Sequence, residues 1–330
     1  MTFVPTSMLA VLTQAGRSAA TVYLSQEAAK KTLETGVTTV RNLNAQNYED
    51  IAMRDLINAG LMVGPRMFVS GYGLHITRGN DVDPSTADGP AEVPKVVRRQ
   101  VAAGADVIKM FGSTGSGQDV SGLQTFTYEE MKAAVDAAHA LGKKIAIHTY
   151  GPTGARDAVR AGTDSVEHAT DMDDDTIHEM ARKKVFYVPT IDHNRFYVAN
   201  ATLMGYPPDA TVRLNDFIVR NVETARRAFN AGVRFAMGSD STRTMFGENT
   251  RELGWFVKVG MTPEQALNTA TVDAAALLGI EDKLGYLKPG YLADIAAVEG
   301  NPLDDINAVI HNVRWVMKDG TVVVDKTKSK

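Results

Sequence analysis

The sequence predicts an α/β fold in which helices alternate with parallel strands, as in a TIM-like (β/α)8 barrel. The first observation is the alternation itself, which runs from residue 21 to about residue 240 with a period of about 20 to 40 residues. The second is that nearly every β-rich run ends in a polar or glycine-containing turn, where such barrels carry their chemistry. The third is a count of seven such runs, each after a helix, so we expect the first barrel strand to be missing.

Each strand of this prediction is a short β-rich run that follows an amphipathic helix. One of the helices, in "TYEEMKAAVDAAHALGKK", begins with the Thr–x–x–Glu pattern of a capping box. The seven predicted strands are, in chain order, "VTTVRN", "RMFVSG", "DVIKMFGS", "IAIHTYG", "DSVEHAT", "VFYVPTI" and "RFAMGSD".

The pattern changes after Asp240. "MTPEQALNTATVDAAALLG" predicts two helices, and three short antiparallel strands with glycine turns follow in "GYLKPGYLADIAAVEG", "VRWVMKDG" and "TVVVDKTK". We therefore expect a barrel over residues 1–270 and, over residues 271–330, a C-terminal helix and a small β appendage.

Composition narrows the class of protein. The 330 residues carry a formal net charge of only −4, spread along the chain, so neither nucleic acid nor an anionic membrane surface is an expected partner. Without cysteine there is no disulfide, thiolate nucleophile or sulfur ligand, and a metal site must use His, Asp, Glu or a less usual group. The amino terminus is a poor signal peptide. We expect a cytoplasmic protein, although an exported precursor stays open.

Four residues that could carry chemistry end predicted strands: Lys109, His148, His168 and Asp240. Carboxyl ends of barrel strands share one face, and His and Asp are natural zinc ligands, so the four together favour a metal site. Lys109 lies inside the apolar run "DVIKMFGS", where desolvation should lower the pKa of its amine. A neutral amine can react with carbon dioxide to form a carbamate that bridges two metals. The alternative is that Lys109 reaches the barrel rim or pairs with an acid.

Several stretches resemble the amidohydrolase superfamily, and within it the imidazolonepropionase-like and Xaa-Pro dipeptidase-like hydrolases. They are "VTTVRN", "VIKMFGS", "IAIHTYG…GARDAVRAGTDSVEHAT", "GSDS" and "TPEQALNTATVDAAALLG…LGYLKPGYLADIAAVEGNPLDDI". The resemblance implies one or two zinc ions, with carboxylated Lys109 as bridge and His148 and His168 as ligands of the more exposed metal. It implies that Asp240 both binds metal and acts as general acid and base toward a metal-activated water.

A second set of residues could bind substrate. The resemblance places His75 in a glycine-rich loop that reaches the active site, while His193, Arg195 and Arg243 lie just beyond predicted strand ends. Tyr150 follows His148 by two residues and so shares its face of the strand, while an arginine beyond a strand end could bind a substrate carboxylate. For each of them, a solvated loop position is an equally good interpretation. The set consists of His75, Tyr150, His193, Arg195 and Arg243.

The sequence departs from this resemblance at its start. The superfamily carries a His-x-His pair on its first strand and an N-terminal half of the small β-domain, and the 330 residues contain neither. We expect a hydrolase of C–N amide bonds in a small substrate, such as a dipeptide or an N-acyl amino acid, and a homo-oligomer, because an open barrel leaves unpaired strand edges. One alternative is an impaired homologue without the full binuclear centre. Another alternative is a sugar or phosphate enzyme on the same barrel. Such an enzyme needs a phosphate-binding loop or a pair of facing carboxylates, and the sequence shows neither convincingly.

Overall fold

The computed structural model of the protein describes residues 18–78, 83–117, 119–242 and 245–327. Arg243, one of the residues expected to bind substrate, lies outside the described residues. Among the described helices, none is both long and apolar enough to cross a membrane.

Parallel strands occur at each of the positions that the sequence predicts. They are β1 Thr39–Asn42, β2 Arg66–Val69, β3 Val107–Phe111, β4 Lys144–Thr149, β5 Ser165–His168, β6 Phe186–Val188 and β7 Arg234–Phe235. β1 pairs with β2, β3 to β7 pair in chain order, and an isolated parallel bridge from Leu74 to Met110 connects the segment after β2 to β3. Within the described ranges no ladder joins β7 to β1, so the structure shows an α/β fold with parallel strands and not a closed barrel.

Helices precede, connect and follow these strands. They are α1 Ser18–Glu34, α2 Glu49–Asn58, α3 Val93–Ala103, α4 Tyr128–Ala140, α5 Pro152–Ala161, α6 Asp174–Lys183, α7 Ile191–Ala199, α8 Pro208–Asn230, α9 Glu252–Val259, α10 Pro263–Ala270, α11 Val272–Leu278 and α12 Asn307–His311. The predicted capping box of α4 is confirmed, because the Thr127 side chain accepts from the Glu130 N–H while Glu130 accepts from the Thr127 N–H. Two short 3₁₀ helices cover Gln46–Tyr48 and Asn249–Arg251.

The strands are buried between the helices, as their continuous apolar composition requires. Ile108, Met110, Ile145, Ile147 and Val166 are fully buried in one core cluster with residues of the surrounding helices. Burial of each such side chain contributes roughly 1.5–3 kcal/mol. This packing fixes the strands in register, and their carboxyl ends therefore lie at a common edge.

The seventh strand is shorter than predicted. The ladder ends at Phe235, whereas the pattern "RFAMGSD" predicted a strand up to Asp240. The Met237 N–H donates to the Thr269 carbonyl at 2.9 Å, which takes the chain away from β6. Gly238 then packs so closely on β6 that a Cβ there would lie 2.4 Å from a methyl carbon of Val188. Asp240 is consequently held by a turn and not by a strand.

The C-terminal region forms the antiparallel sheet that the sequence predicts. Its strands are β8 Ile295–Val298, β9 Val313–Lys318 and β10 Thr321–Asp325, in the order β10-β9-β8. Val313, Val316 and Val324 of this sheet pack with Leu33 of α1 in a separate apolar cluster. The sheet is thus attached to the first described helix.

Candidate active site

Lys109 occupies the centre of β3 and is almost completely buried, with 4% of its surface exposed. Its amine forms no hydrogen bond or ion pair with any described residue, and its Nζ lies 5.2 Å from the centre of the aromatic Phe111 ring. Burial lowers the pKa of Lys109 to about 8, although the nearby carboxylates of Glu167 and Asp240 act in the opposite direction. The amine therefore neither reaches the rim nor pairs with an acid.

A second buried charge, Glu167 on β5, is already paired. Its Oε1 accepts a hydrogen bond from Nη2 of Arg41 at 2.8 Å and another from the Ser165 hydroxyl at 2.5 Å. Nη1 of Arg41 also donates to the Ser165 hydroxyl at 3.0 Å. Arg41 lies on β1, so this contact links β1 directly to β5 and holds the Glu167 carboxylate in a pair that does not include Lys109.

The two predicted histidine ligands lie side by side. The ring centres of His148 and His168 are 4.6 Å apart, and both side chains are buried. Burial lowers both pKa values well below the usual range, and the charge of Lys109 acts in the same direction. Both imidazoles are therefore neutral near pH 7, which is the form that binds metals. In the described structure Nε2 of His148 has no hydrogen-bond partner, while Nδ1 of His168 lies 2.6 Å from the Thr190 hydroxyl.

An aromatic layer adjoins these two rings. Tyr150 stacks on His148 with 5.1 Å between ring centres and on Phe217 with 4.8 Å. Burial, and then the charge of Asp240, raises the pKa of Tyr150 far above its usual value. Tyr150 is therefore a neutral phenol that can donate a hydrogen bond.

His193 links this group to Asp240. Its ring centre is 6.4 Å from that of His168, and its Nδ1 lies 2.9 Å from the Asp240 carbonyl oxygen. Its Nε2 is 3.3 Å from Oδ2 of Asp240, an ion-pair distance, but the two atoms are not aligned for a hydrogen bond. The Asp240 side chain is 44% exposed, so it lies on the open side of the group.

Three residues of the site have the left-handed backbone conformation that non-glycine residues rarely adopt. The φ angles are +72° at His168, +49° at Thr190 and +44° at Asp240. Each such position costs of order 1–3 kcal/mol, and the surrounding packing has to maintain it. Backbone strain at the end of β5 and in the turns that follow β6 and β7 is typical of a functional site.

The structure brings most of the predicted site residues together, and it separates two. His75 lies 3.2 Å from the Asp83 carboxylate, and Arg195 donates to the carboxylates of Asp192 and Glu248. No described contact joins either of them to the group, and their substrate-binding roles stay predictions. The group itself consists of Lys109, His148, Tyr150, His168, His193 and Asp240.

The sequence pattern misplaced one element and missed the residues that support the site. The pattern of "TIDHNRFY" predicts a loop just beyond a strand end, but His193 and Arg195 lie on helix α7. The beginning of α7 is held by Glu252, whose carboxylate accepts from the N–H groups of Ile191 and Asp192. These partners are far apart along the chain, so a single sequence gives no sign of them. The sequence does place an acid, Glu167, directly before His168, but it does not show that Arg41 is the partner of that acid.

Comparison with known proteins gives consistent matches. The profile of the amidohydrolase family matches residues 12–323. Ochratoxinase of Aspergillus niger is 31% identical over 304 residues, which cover 83% of this chain and 62% of that protein. Imidazolonepropionase of Geobacillus thermodenitrificans is 27% identical over 247 residues, or 72% of this chain and 50% of that protein. This chain therefore spans less than two thirds of these curated relatives.

Solved structures give the same result. A crystal structure of a Xaa-Pro dipeptidase with bound methionine in its active site has a TM-score of 0.84 and 35% sequence identity, and the match covers 92% of this chain and 79% of that chain. The resemblance that the sequence suggested is thereby confirmed.

The burial of Lys109 predicts a stability effect of its own. Replacing the amine with an apolar side chain, Lys109→Met, should stabilise the metal-free protein near pH 7 by on the order of a few kcal/mol, since each pKa unit is worth about 1.4 kcal/mol. Unfolded lysine titrates near 10.5 and folded Lys109 near 8. The wild-type protein therefore gains stability between these pH values, and the advantage of the variant should shrink there. Urea unfolding at pH 7 and at pH 10 measures this.

Lys30→Met, at an exposed position of α1, removes the same charge and is the matched control. It should change the free energy of unfolding by less than about 0.5 kcal/mol. A Lys109→Met variant that unfolds more easily than wild type at both pH values would show that the amine has a stabilising partner.

Proposed function

Because this chain belongs to the amidohydrolase family, we propose that it is a metal-dependent hydrolase of C–N amide bonds in small substrates such as dipeptides or N-acyl amino acids. The observation that carries the proposal is the grouping of two neutral, buried imidazoles, His148 and His168, with the unpaired amine of Lys109. The names of its relatives, above all the Xaa-Pro dipeptidase, support a substrate with an amide bond.

The donor set fits a divalent ion such as zinc if Lys109 takes part. Nε2 of His148 is buried without a partner, which is costly unless a ligand satisfies it. Within the described ranges no three His, Asp or Glu side chains converge on one point, and catalytic zinc usually has three protein ligands. Carboxylated Lys109 would be the third. When bound, the metal would supply water activated near neutral pH and would polarise the scissile carbonyl.

The environment of Lys109 favours carbamate formation. The ammonium first loses one proton to solvent. The neutral nitrogen then attacks the carbon of carbon dioxide, one C=O π bond opens onto oxygen as the N–C bond forms, and a second proton leaves to solvent, so a cation becomes an anion. With a pKa of about 8, roughly one tenth of the amine is neutral near pH 7. The Arg41–Glu167 ion pair also favours the neutral amine, because a Glu167 carboxylate without this partner would stabilise the ammonium form of Lys109.

Asp240 has a position suited to proton transfer, and Tyr150 has one suited to a hydrogen bond with the substrate carbonyl. Asp240 lies on the open side, where its carboxylate would take a proton from the attacking water and pass it to the leaving amine. Nδ1 of His193, 2.9 Å from the Asp240 carbonyl oxygen, would hold the turn that carries this carboxylate. Tyr150, which stays a neutral phenol, would donate to the carbonyl oxygen of the substrate. His75, Arg195 and Arg243 remain proposed substrate contacts.

A second candidate is an impaired homologue that keeps the fold without the full binuclear centre. Within the 330 residues no His-x-His pair occurs, so these residues alone would offer a second metal only Asp240 and a share of Lys109. The two candidates differ in the hydrolytic activity that they predict.

To test the function, the protein is incubated with zinc and bicarbonate, desalted, and analysed for metal per chain. It is then assayed for release of free amine from a panel of dipeptides and N-acyl amino acids. We expect about one zinc per chain and slow but measurable hydrolysis, with both absent from Lys109→Met. Retained zinc without hydrolysis would favour the impaired homologue, and failure to retain zinc would contradict the proposal.

The histidines provide a separate test of the site. His148→Ala and His168→Ala should each lose zinc and lower hydrolysis by about 100-fold or more, because each removes a ligand. His178→Ala changes an exposed residue of α6 and should leave both within about twofold. Metal analysis and amine release on the same samples measure this. Equal behaviour of all three variants would show that the ligands lie elsewhere.

A further inference from the structure

Thr190 begins helix α7, but its hydroxyl does not cap that helix. A threonine at this position normally has an extended backbone and accepts a hydrogen bond from an N–H of the first turn. Thr190 instead has φ +49° and ψ +46° and makes no capping hydrogen bond. Its buried hydroxyl lies 2.6 Å from Nδ1 of His168.

Another residue performs the capping that Thr190 does not. Glu252, from α9, is fully buried, and its two carboxylate oxygens accept from the N–H groups of Ile191 at 2.9 Å and Asp192 at 2.8 Å. A β-branched residue in the left-handed region is also strained. The left-handed backbone of Thr190 and the capping by Glu252 together place the Thr190 hydroxyl against His168.

Two buried side chains fix the turns that carry this pair. The Tyr187 hydroxyl donates to the Ala169 carbonyl at 2.6 Å and lies 3.1 Å from Oδ1 of Asn221. The Asn221 amide donates to the Pro189 carbonyl at 3.1 Å. The turn after His168 and the turn before Thr190 are therefore held by the same Tyr187–Asn221 pair. The short contact between His168 and Thr190 is therefore fixed by the buried packing around it.

We propose that Thr190 is a positioning residue that accepts a hydrogen bond from Nδ1–H of His168 and so leaves Nε2 of His168 free to bind a metal. A neutral imidazole has one N–H, and a ligating histidine usually donates it to a fixed acceptor. If Thr190 donated instead, Nε2 would carry the proton and could not bind. The metal-binding part of this inference rests on the proposed function, but the tautomer of His168 does not.

The test compares two substitutions of Thr190. Thr190→Val keeps the β-branched shape and removes the hydroxyl, while Thr190→Ser keeps the hydroxyl. Nitrogen-15 NMR of the metal-free protein, with labelled histidine, reads the His168 tautomer, and the His168→Asn variant assigns the signal. We expect the Nδ1–H form in wild type and in Thr190→Ser, and loss of that preference in Thr190→Val. Zinc affinity, measured by chelator competition, should fall about 10- to 100-fold in Thr190→Val and stay within about threefold in Thr190→Ser.

Glu252→Gln is the control for a purely structural effect, because it weakens the start of α7 and leaves the Thr190 hydroxyl in place. It should lower thermal stability while the His168 tautomer stays the same. An Nε2–H tautomer in wild type, or a Thr190→Val variant with unchanged tautomer and zinc affinity, would overturn the proposal. If wild type binds no zinc but Thr190→Val still changes the tautomer, the positioning role stands and the proposed metal-dependent function fails.

Discussion

The buried amine of Lys109, without a hydrogen-bond or ion-pair partner among the residues that the structure describes, is the constraint around which the site is arranged. A buried charge without compensation is strongly unfavourable, so the amine is displaced toward its neutral form. The Glu167 carboxylate is held by Arg41, and the adjacent imidazoles of His148 and His168 are neutral. None of these three side chains therefore forms an ion pair with the amine.

The fold maintains this costly arrangement through close packing. Gly73 passes so close to β3 that a Cβ there would lie 2.6 Å from the Phe111 ring and 3.0 Å from Cγ of Lys109. The loop after β2 therefore covers the stem of Lys109 only because Gly73 has no side chain. On the other side, Tyr187 and Asn221 hold the strained turns that present His168. Apolar burial along the parallel strands offsets the cost of the polar site.

Much of this architecture could be predicted from the sequence, because it depends on local patterns. Periodicity located the seven parallel strands and the C-terminal sheet, and the strand-end rule selected His148 and His168. Lys109, which the pattern places at a strand end, lies at the centre of β3. Three features could not be predicted. The first is the early end of β7, which Gly238 and the Met237–Thr269 hydrogen bond produce. The second is the start of α7, where the backbone of Thr190 is strained and the first N–H groups are capped by the distant Glu252. The Arg41–Glu167 pair joins residues 126 positions apart. Such contacts arise from tertiary packing and leave no local signal.

The central claim is that Lys109 is buried without a counter-ion so that it can become a carbamate. Carbon-13 NMR of protein loaded with zinc and carbon-13 bicarbonate tests it most directly. The account predicts one protein-bound carbamate signal that is absent from Lys109→Met and present in His178→Ala. A zinc-loaded, active wild-type protein without that signal, or a signal that persists in Lys109→Met, would contradict it.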